Sequence, residues 1–557
     1  MDARDDPKLE LLCRWLQING VQLRGCEIRS CGQQKGYGLF ASDDKCEGVL
    51  LVVPLDLAIT PMRVLQDPIY SAKCRPLFEE GDVDDRFLMM LFLTVEHAMK
   101  NSSWKPYLEA LPSSFGTPLW FTEDELVELK GTTLHKASIL QKKKLQELFD
   151  EKVKPLAEEL LCLYEDKESV IHFEDFLWAN SIFWTRALNI PLPHSFVFPK
   201  VVTKQLSISL SLEKHSEDMN APMCKDSAVD GDETEDLKVT SSEINPENVW
   251  VEGLVPGIDF CNHGSEAGAL WEVDASGGVT GIPFSMYLLS TCGQKVPAQK
   301  EILISYGNKG NEELLYLYGF IIEKNPDDYL MVHYPLEALQ QASCPDSKGQ
   351  LLEIQKAELR CILPKDSLKH GFFGQPPQTQ GSFESDKIFY NNYSWSGQRK
   401  VPSYLDKLVF PEDFLTGLRT IAMQENELLQ VSSLLEELVG SAEKRQPTET
   451  EVRAAVWEVC GDAGALQLLV DLLNTKMMEL EEGSGTEDED IKLLQNACMI
   501  GSEEENVSRI EVSGVDEKVM MSKNKWSSIV YRLGQKQLTR LFLREAEHAL
   551  EICLSTA

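Results

Sequence analysis

Between Asp259 and Gly264 the chain reads DFCNHG, which places a carboxyl, a thiol, an amide and an imidazole within a few residues. These groups could ligate a metal, act as a nucleophile with its base, or cap the end of a strand. A structural zinc site needs four ligands, usually supplied as paired Cys-x-x-Cys knuckles. The chain has 14 cysteines and no Cys-x-x-Cys pair, so no metal is expected. Cys261 and His263 share one short segment, and such neighbours seldom face each other with the geometry of a nucleophile and its base. Taken alone, the segment reads as a strand end whose Asn262 and His263 cap buried backbone groups.

Other polar groups sit at similar punctuation points. GYGLFA, Gly36 to Ala41, lacks the third glycine and the following helix of a dinucleotide fingerprint. Its two glycines flanking Tyr37 still permit close backbone approach to something flat or charged, or else mark a β-bulge. Tyr306 ends the apolar run EILISYG, and Tyr318 lies in ELLYLYGF on a helix that stops at Gly319. Each of these tyrosines, by itself, reads as a core or rim aromatic. Arg186 stands in WTRAL, with Leu188 two residues on.

The elements that must position these groups are legible from periodicity. LELLCRWLQ reads as a helix, followed by strand-like CEIRSC, GYGLFAS and GVLLVVP, each bounded by Gly or Pro. From Asp84, DDRFLMMLFLTVEHAMK puts Phe87, Leu88, Leu91, Phe92 and Val95 at helical spacing, with acids first and Lys100 last, as a helix dipole prefers. Helical signals continue to about residue 190. Glu213 to Asn248 is acidic and poor in aliphatic residues, so a disordered insertion is expected there. Strands return at SMYLLST and EILISYG. Beyond about 330 the pattern turns helical, and ELEEGSGTEDED, about 479–490, reads as a flexible acidic loop. The fold class expected is α+β: a first domain over 1–325 with β core segments at about 20–65 and 250–325, a helical insert at about 66–212 and the acidic insertion at about 213–248, then a mostly helical domain over 326–557.

Bulk properties narrow the partners. The 557 residues include 54 basic and 89 acidic side chains, for a net charge of -35, which repels phosphate backbones. Nucleic acid is therefore not an expected partner, whereas a lysine-bearing protein segment is attracted. The scattered cysteines read as reduced, intracellular usage. MDARDDPKLE resembles neither a secretory signal nor a transit peptide, and no run reaches the roughly 18 apolar residues that span a bilayer. The expectation is cytosol, nucleus or both, with no membrane partner.

Taken in order, GYGLFA, a helical insert ending in WTRAL, DFCNH, then SYG about 43 residues on and YGF soon after resemble the SET-domain methyltransferases. The likeness is closer to the branch related to the plant Rubisco large-subunit lysine methyltransferase, which includes methylators of actin and other non-histone proteins. SSWKPYLEALPSSFGTPLWF in the insert, and FPEDFLTGLR and VYRLGQKQL in the C-terminal part, match as well. The resemblance implies a knotted SET core with a helical substrate-binding domain, S-adenosylmethionine as cofactor, and a protein substrate presenting a lysine to an enzyme acting as a monomer. It implies that Lys35, Gly36 and Tyr37 lie against the cofactor, that Arg186 pairs with the methionine carboxylate, and that Asn262 and His263 bind cofactor and lock the knot. Asp259 and Cys261 serve that segment, with Asp259 counted among the cofactor contacts. Tyr306 becomes the active-site tyrosine, touching cofactor and substrate, and Tyr318 a second aromatic of the acceptor channel. Leu188 then faces the acceptor, where an apolar residue suits a lysine stem better than an imidazole. Histidine methylation and a catalytically silent adaptor are the competing readings.

Overall fold

The computed structural model describes residues 6–32, 36–42, 48–166, 168–198, 248–291, 297–374, 402–440, 445–499 and 519–556. They form two compact units. One contains Met1–Pro112 and Glu151–Ser305, the other Ser113–Asp150 and Tyr306–Ala557. Lys35 and nearly all of the acidic insertion expected at 213–248 lie outside the described residues. Among the described residues no helix is long and apolar enough to cross a membrane.

The first unit holds β1 (Gln22–Leu23), β2 (Cys26–Ser30), β3 (Tyr37–Ala41), β4 (Val49–Pro54), β5 (Leu188–Pro193), β6 (Asn248–Gly253), β7 (Ala269–Asp274) and β8 (Ser285–Ser290). An antiparallel sheet of order β1-β4-β8-β7 is accompanied by the separate antiparallel pairs β2-β3 and β5-β6. β4 is central, and Leu50, Leu51, Val52 and Val53 are all within 1% of full burial, as a continuous apolar run bounded by Gly and Pro predicts. The expected helix after Asp84 spans Asp85–Ala98, its first turn capped by Asp84, whose Oδ1 accepts from the Phe87 amide at 2.8 Å. It packs on the helix Phe173–Arg186, so two apolar faces cover each other beside the sheets.

EILISYG departs from a regular strand. Glu301 pairs antiparallel with Phe40, whereas Ile304 pairs parallel with His263. The Ile302 amide donates to the Leu39 carbonyl at 2.7 Å, the Ile304 amide to Asn262 at 3.0 Å, and the Gly264 amide to Ile304 at 3.0 Å. By changing partner within three residues the segment satisfies its backbone without a ladder and runs between β3 and the DFCNHG turn. Gly264 makes this possible, because a Cβ there would lie 2.8 Å from Leu303 Cδ1.

The second unit is mostly helical, built on Glu412–Ala422, Glu425–Val439, Glu449–Val459, Ala463–Glu481 and the long Lys523–Thr556, with the antiparallel pair β9 (Tyr329–His333) and β10 (Arg360–Pro364). Phe414, Leu418, Leu469, Leu473, Phe542 and Ala546 anchor its main core. The acidic stretch expected as a loop is mostly helix. Ala463–Glu481 runs into it, and after a turn with two left-handed glycines, Gly483 and Gly485, a helix begins at Glu487. Thr486 and Glu489 form a capping box there, and four acids in the first turn suit the dipole. The reason is not local: Asp490 is fully buried and meets Arg532 and Lys536, 42 and 46 residues away.

Candidate functional site

Of the residues singled out in the sequence, Arg186 meets Asp259 in the first unit. Helix Phe173–Arg186 ends at Arg186, because Ala187 turns extended and opens the proline-bearing β5. Its last residue therefore carries a cation at a helix C-terminus, where the dipole favours one. Arg186 Nη1 donates to the Asp259 carbonyl at 2.6 Å, and the guanidinium lies over the Phe260 ring at 5.2 Å. Among the described residues its buried Nε has no hydrogen-bond partner. A buried guanidinium N–H without an acceptor is a ready donor for an anion.

Asp259 is buried and its carboxylate is held by the Tyr107 hydroxyl, 2.5 Å from Oδ2, and by the Gly257 amide, 3.1 Å from Oδ1. Burial raises its pKa to about 6, against the lowering effect of Arg186, Tyr107 and Gly257. A carboxyl raised in the fold from 3.8 contributes stability that is present below its unfolded pKa and lost as pH rises through the folded one. Asp259→Asn is accordingly expected to remove about 3 kcal/mol of pH dependence between roughly pH 4 and 6. The check is chemical denaturation at several pH values, subtracting variant from wild type. Equal slopes in the two proteins would contradict the assignment.

Tyr107 belongs to WKPYLEALP and was not among the sequence candidates. It is fully buried in an aromatic run: its ring stacks on Trp15 at 5.9 Å and meets Phe260 edge-on at 6.3 Å, and Phe260 meets Tyr37 edge-on at 6.3 Å. Nothing in the sequence links Tyr107 to Asp259, since 152 residues separate them. The Tyr37 hydroxyl is occupied by Asp6 Oδ2 at 2.6 Å, which lowers the Asp6 pKa and, together with burial, raises that of Tyr37.

On the other side of the DFCNHG turn, Asn262 Nδ2 donates to Glu301 Oε1 at 2.6 Å, and the Cys31 thiol lies 3.4 Å from the same oxygen. Gly38 makes room for this group: a Cβ there would fall 2.5 Å from Cys31 Sγ and 2.8 Å from Glu301 Oε1. The second glycine of GYG therefore answers to space, while Gly36, at φ +69°, answers to backbone conformation. His263 is half-buried and joins Ile304 through the parallel bridge. Cys261 is buried, and burial holds its thiol pKa well above the ordinary range, which is the opposite of an activated nucleophile. Leu188 opens β5 opposite Gly253 and is half-buried. Among the described residues no cluster of three His, Cys, Asp or Glu could hold a metal ion.

Tyr306 and Tyr318 come together in the second unit, their ring centroids 5.0 Å apart at 32°. Tyr318 ends a wide helical turn, Leu314–Tyr318, closed by left-handed Gly319. A Cβ on Gly319 would lie 2.8 Å from the Gly116 carbonyl carbon, so only glycine fits. Burial and the nearby Glu313 raise the Tyr318 pKa. This turn is fastened through Glu312, which accepts from Thr133 Oγ1 at 2.6 Å and from the Tyr531 hydroxyl at 2.8 Å.

No family model matches the chain. It is 25% identical over 400 residues to the actin-histidine N-methyltransferase of Homo sapiens, covering 68% of this chain and 51% of that protein. It is 31% identical over 194 residues to the one of Canis lupus familiaris, covering 34% and 32%. The chain thus spans about half the length of the curated relatives it matches. Among solved structures, the SET domain of LSMT bound to lysine and AdoHcy superposes with a TM-score of 0.58 at 19% identity, over 99% of this chain and 93% of that one. Rubisco LSMT bound to AdoMet gives 0.56 at 19%, over 98% and 93%. The fold is that of a SET domain. The likeness read from GYG, DFCNH, SYG and YGF thus holds in three dimensions and along nearly the whole chain, and the α+β class with it.

Proposed function

We propose that the chain is an S-adenosylmethionine-dependent protein-lysine N-methyltransferase acting on a non-histone protein. The observation that carries this reading is Arg186, half-buried, with a buried Nε that has no partner among the described residues, fixed beside the DFCNHG turn by the Asp259 carbonyl. That donor fits the carboxylate of a methionine moiety. Backbone at Gly36 and Tyr37, with Lys35, and the residues Asp259, Asn262 and His263 complete the cofactor contacts in this reading. When bound, the cofactor supplies a sulfonium methyl. The chain's own task is to present a neutral amine in line with that methyl, and positioning accounts for most of the rate. Tyr306 orients the amine through its hydroxyl, Tyr318 lines the channel, and Leu188 packs on the lysine stem. An apolar channel lowers the lysine pKa, so no strong protein base is called for.

Histidine is the second acceptor to consider, favoured by the names of the curated relatives. Leu188 speaks against it, since an aliphatic side chain gives an imidazole no hydrogen bond to fix its tautomer. The test is incubation of the purified protein with labelled S-adenosylmethionine and candidate protein substrates, with the labelled residue mapped by mass spectrometry. Label on lysine is expected, and label confined to histidine would replace the first reading with the second. Tyr306→Phe is expected to lower turnover about 100-fold while changing cofactor affinity little. Full turnover by that variant would remove Tyr306 from the mechanism. Cofactor binding by the wild type with no transfer to any protein would favour an adaptor.

A further inference from the structure

The first unit contains a half-open cavity of about 360 Å³ that none of the residues assigned to methyl transfer lines. Its lining includes the aromatic rings of Phe92, Trp104 and Tyr164, the acids Asp67 and Glu96, and the donors Arg63 and Asn101. The Phe92 and Trp104 rings, 5.7 Å apart and at 86°, make an aromatic corner. Glu96 is 7% exposed, and its two oxygens accept only from hydroxyls, Ser102 at 2.5 Å and Tyr70 at 3.3 Å. Among the described residues no lysine or arginine pairs with it. A carboxyl taken out of water without a counter-ion is costly, and nearby aromatic faces offer further attraction to a cation. The Asp67 carboxylate, which caps the helix Pro68–Glu79, adds a second negative charge. Among the described residues the Arg63 guanidinium donates to no acceptor; Arg63 is exposed and its guanidinium lies 5.9 Å from the Trp104 ring centroid.

We propose that this cavity is a binding site for an alkylammonium group, the side chain of a lysine residue in a peptide. The ammonium head enters toward Glu96 and Asp67, the methylene stem lies along Phe92 and Trp104, and Arg63 and Asn101 donate to the main-chain carbonyls that follow it. A net negative, aromatic-walled pocket that also carries donors in its lining suits that ligand. It suits neither a free anion, which the two acids repel, nor a purely apolar one, which would leave Glu96 buried and unpaired. The site does not depend on the methyl-transfer reading.

The test is calorimetric titration of the full-length protein with Nα-acetyl-lysine methylamide and, in parallel, its norleucine counterpart. The lysine compound is expected to bind about tenfold or more tightly than norleucine, a comparison that needs no variant. Glu96→Gln, which keeps both hydroxyl partners, is expected to weaken lysine binding about tenfold. Asp56→Asn, exposed and outside the cavity lining, is expected to leave it unchanged. Equal binding of the two compounds, no measurable lysine binding, or undiminished lysine binding by Glu96→Gln would each overturn the proposal.

Discussion

Replacing Asp490 by alanine is expected to destabilise the helical unit by about 3–5 kcal/mol, the usual cost of removing one partner from a buried ion cluster. Asp490 and Lys536 are wholly buried, and Arg532 is 2% exposed. Arg532 Nε and Nη2 reach Asp490 Oδ1 at 2.9 and 2.6 Å, while Lys536 Nζ reaches Oδ2 and the Gly485 carbonyl, both at 2.7 Å. Glu128 is the second acid of the group and pairs with Arg532 and with Lys525. Two buried cations are thus matched by two carboxylates, and the alanine variant leaves one cation uncompensated where water cannot reach. Asp488→Ala, two residues earlier and exposed, is the control and should change stability by less than about 0.5 kcal/mol. Guanidinium denaturation of the full-length protein measures both. Similar small shifts for the two variants would mean that the cluster is better hydrated than its burial indicates.

That cluster shows what the sequence could and could not reveal. VYRLGQKQL was legible as a family-like motif but not as a device. Its Tyr531 fastens Glu312, its Arg532 and Lys536 hold Asp490, and the side-chain amide of its Gln535 donates to the Tyr329 carbonyl at 3.1 Å. FPEDFLTGLR behaves alike: Arg419 is buried over the Trp457 ring at 4.6 Å and bonds Asp462 Oδ1 at 2.9 Å. Both motifs reach partners far along the chain, 43 residues away for Asp462 and 404 for Glu128. No local pattern contains such pairings. The acidic stretch was misread for the same reason, since composition counts charges and cannot see that one will be buried against two cations. Thr486 and Glu489, at capping-box spacing, were the one local signal of a helix there.

Elements governed by nearest neighbours were easier. The helix from Asp85, the strands of CEIRSC, GYGLFA and GVLLVVP, and the α+β class follow from periodicity and from Gly and Pro punctuation. EILISYG was harder, because its apolar alternation describes burial on both sides and not the change of partner from Phe40 to His263. The Asp259 group was half legible. Asp259 stood out in the DFCNHG cluster and Arg186 through the family resemblance, whereas Tyr107 and Glu301 became visible only once folding brought them to Asp259 and Asn262.

Arg186→Met should weaken S-adenosylhomocysteine binding about 30- to 1,000-fold, corresponding to the roughly 2–4 kcal/mol lost when one partner of a desolvated charge pair is truncated. Methionine retains an aliphatic body against Phe260, so packing changes little while the donor is lost. Arg186→Lys restores the charge as a point and not as a planar fork, and should recover only part of the affinity. A second readout separates binding from architecture. The Arg186 charge is the largest effect holding the Asp259 pKa down against burial. Without it the folded pKa of Asp259 moves further above about 6, and because stability tied to a raised carboxyl is lost as pH climbs through that pKa, the loss in Arg186→Met must extend to higher pH than in wild type. Adding Asp259→Asn should abolish that extension without restoring cofactor affinity. If instead the double variant regained affinity, Arg186 would be acting only to neutralise Asp259. If Arg186→Met bound the cofactor like wild type, the orphaned Nε would have no part in holding it.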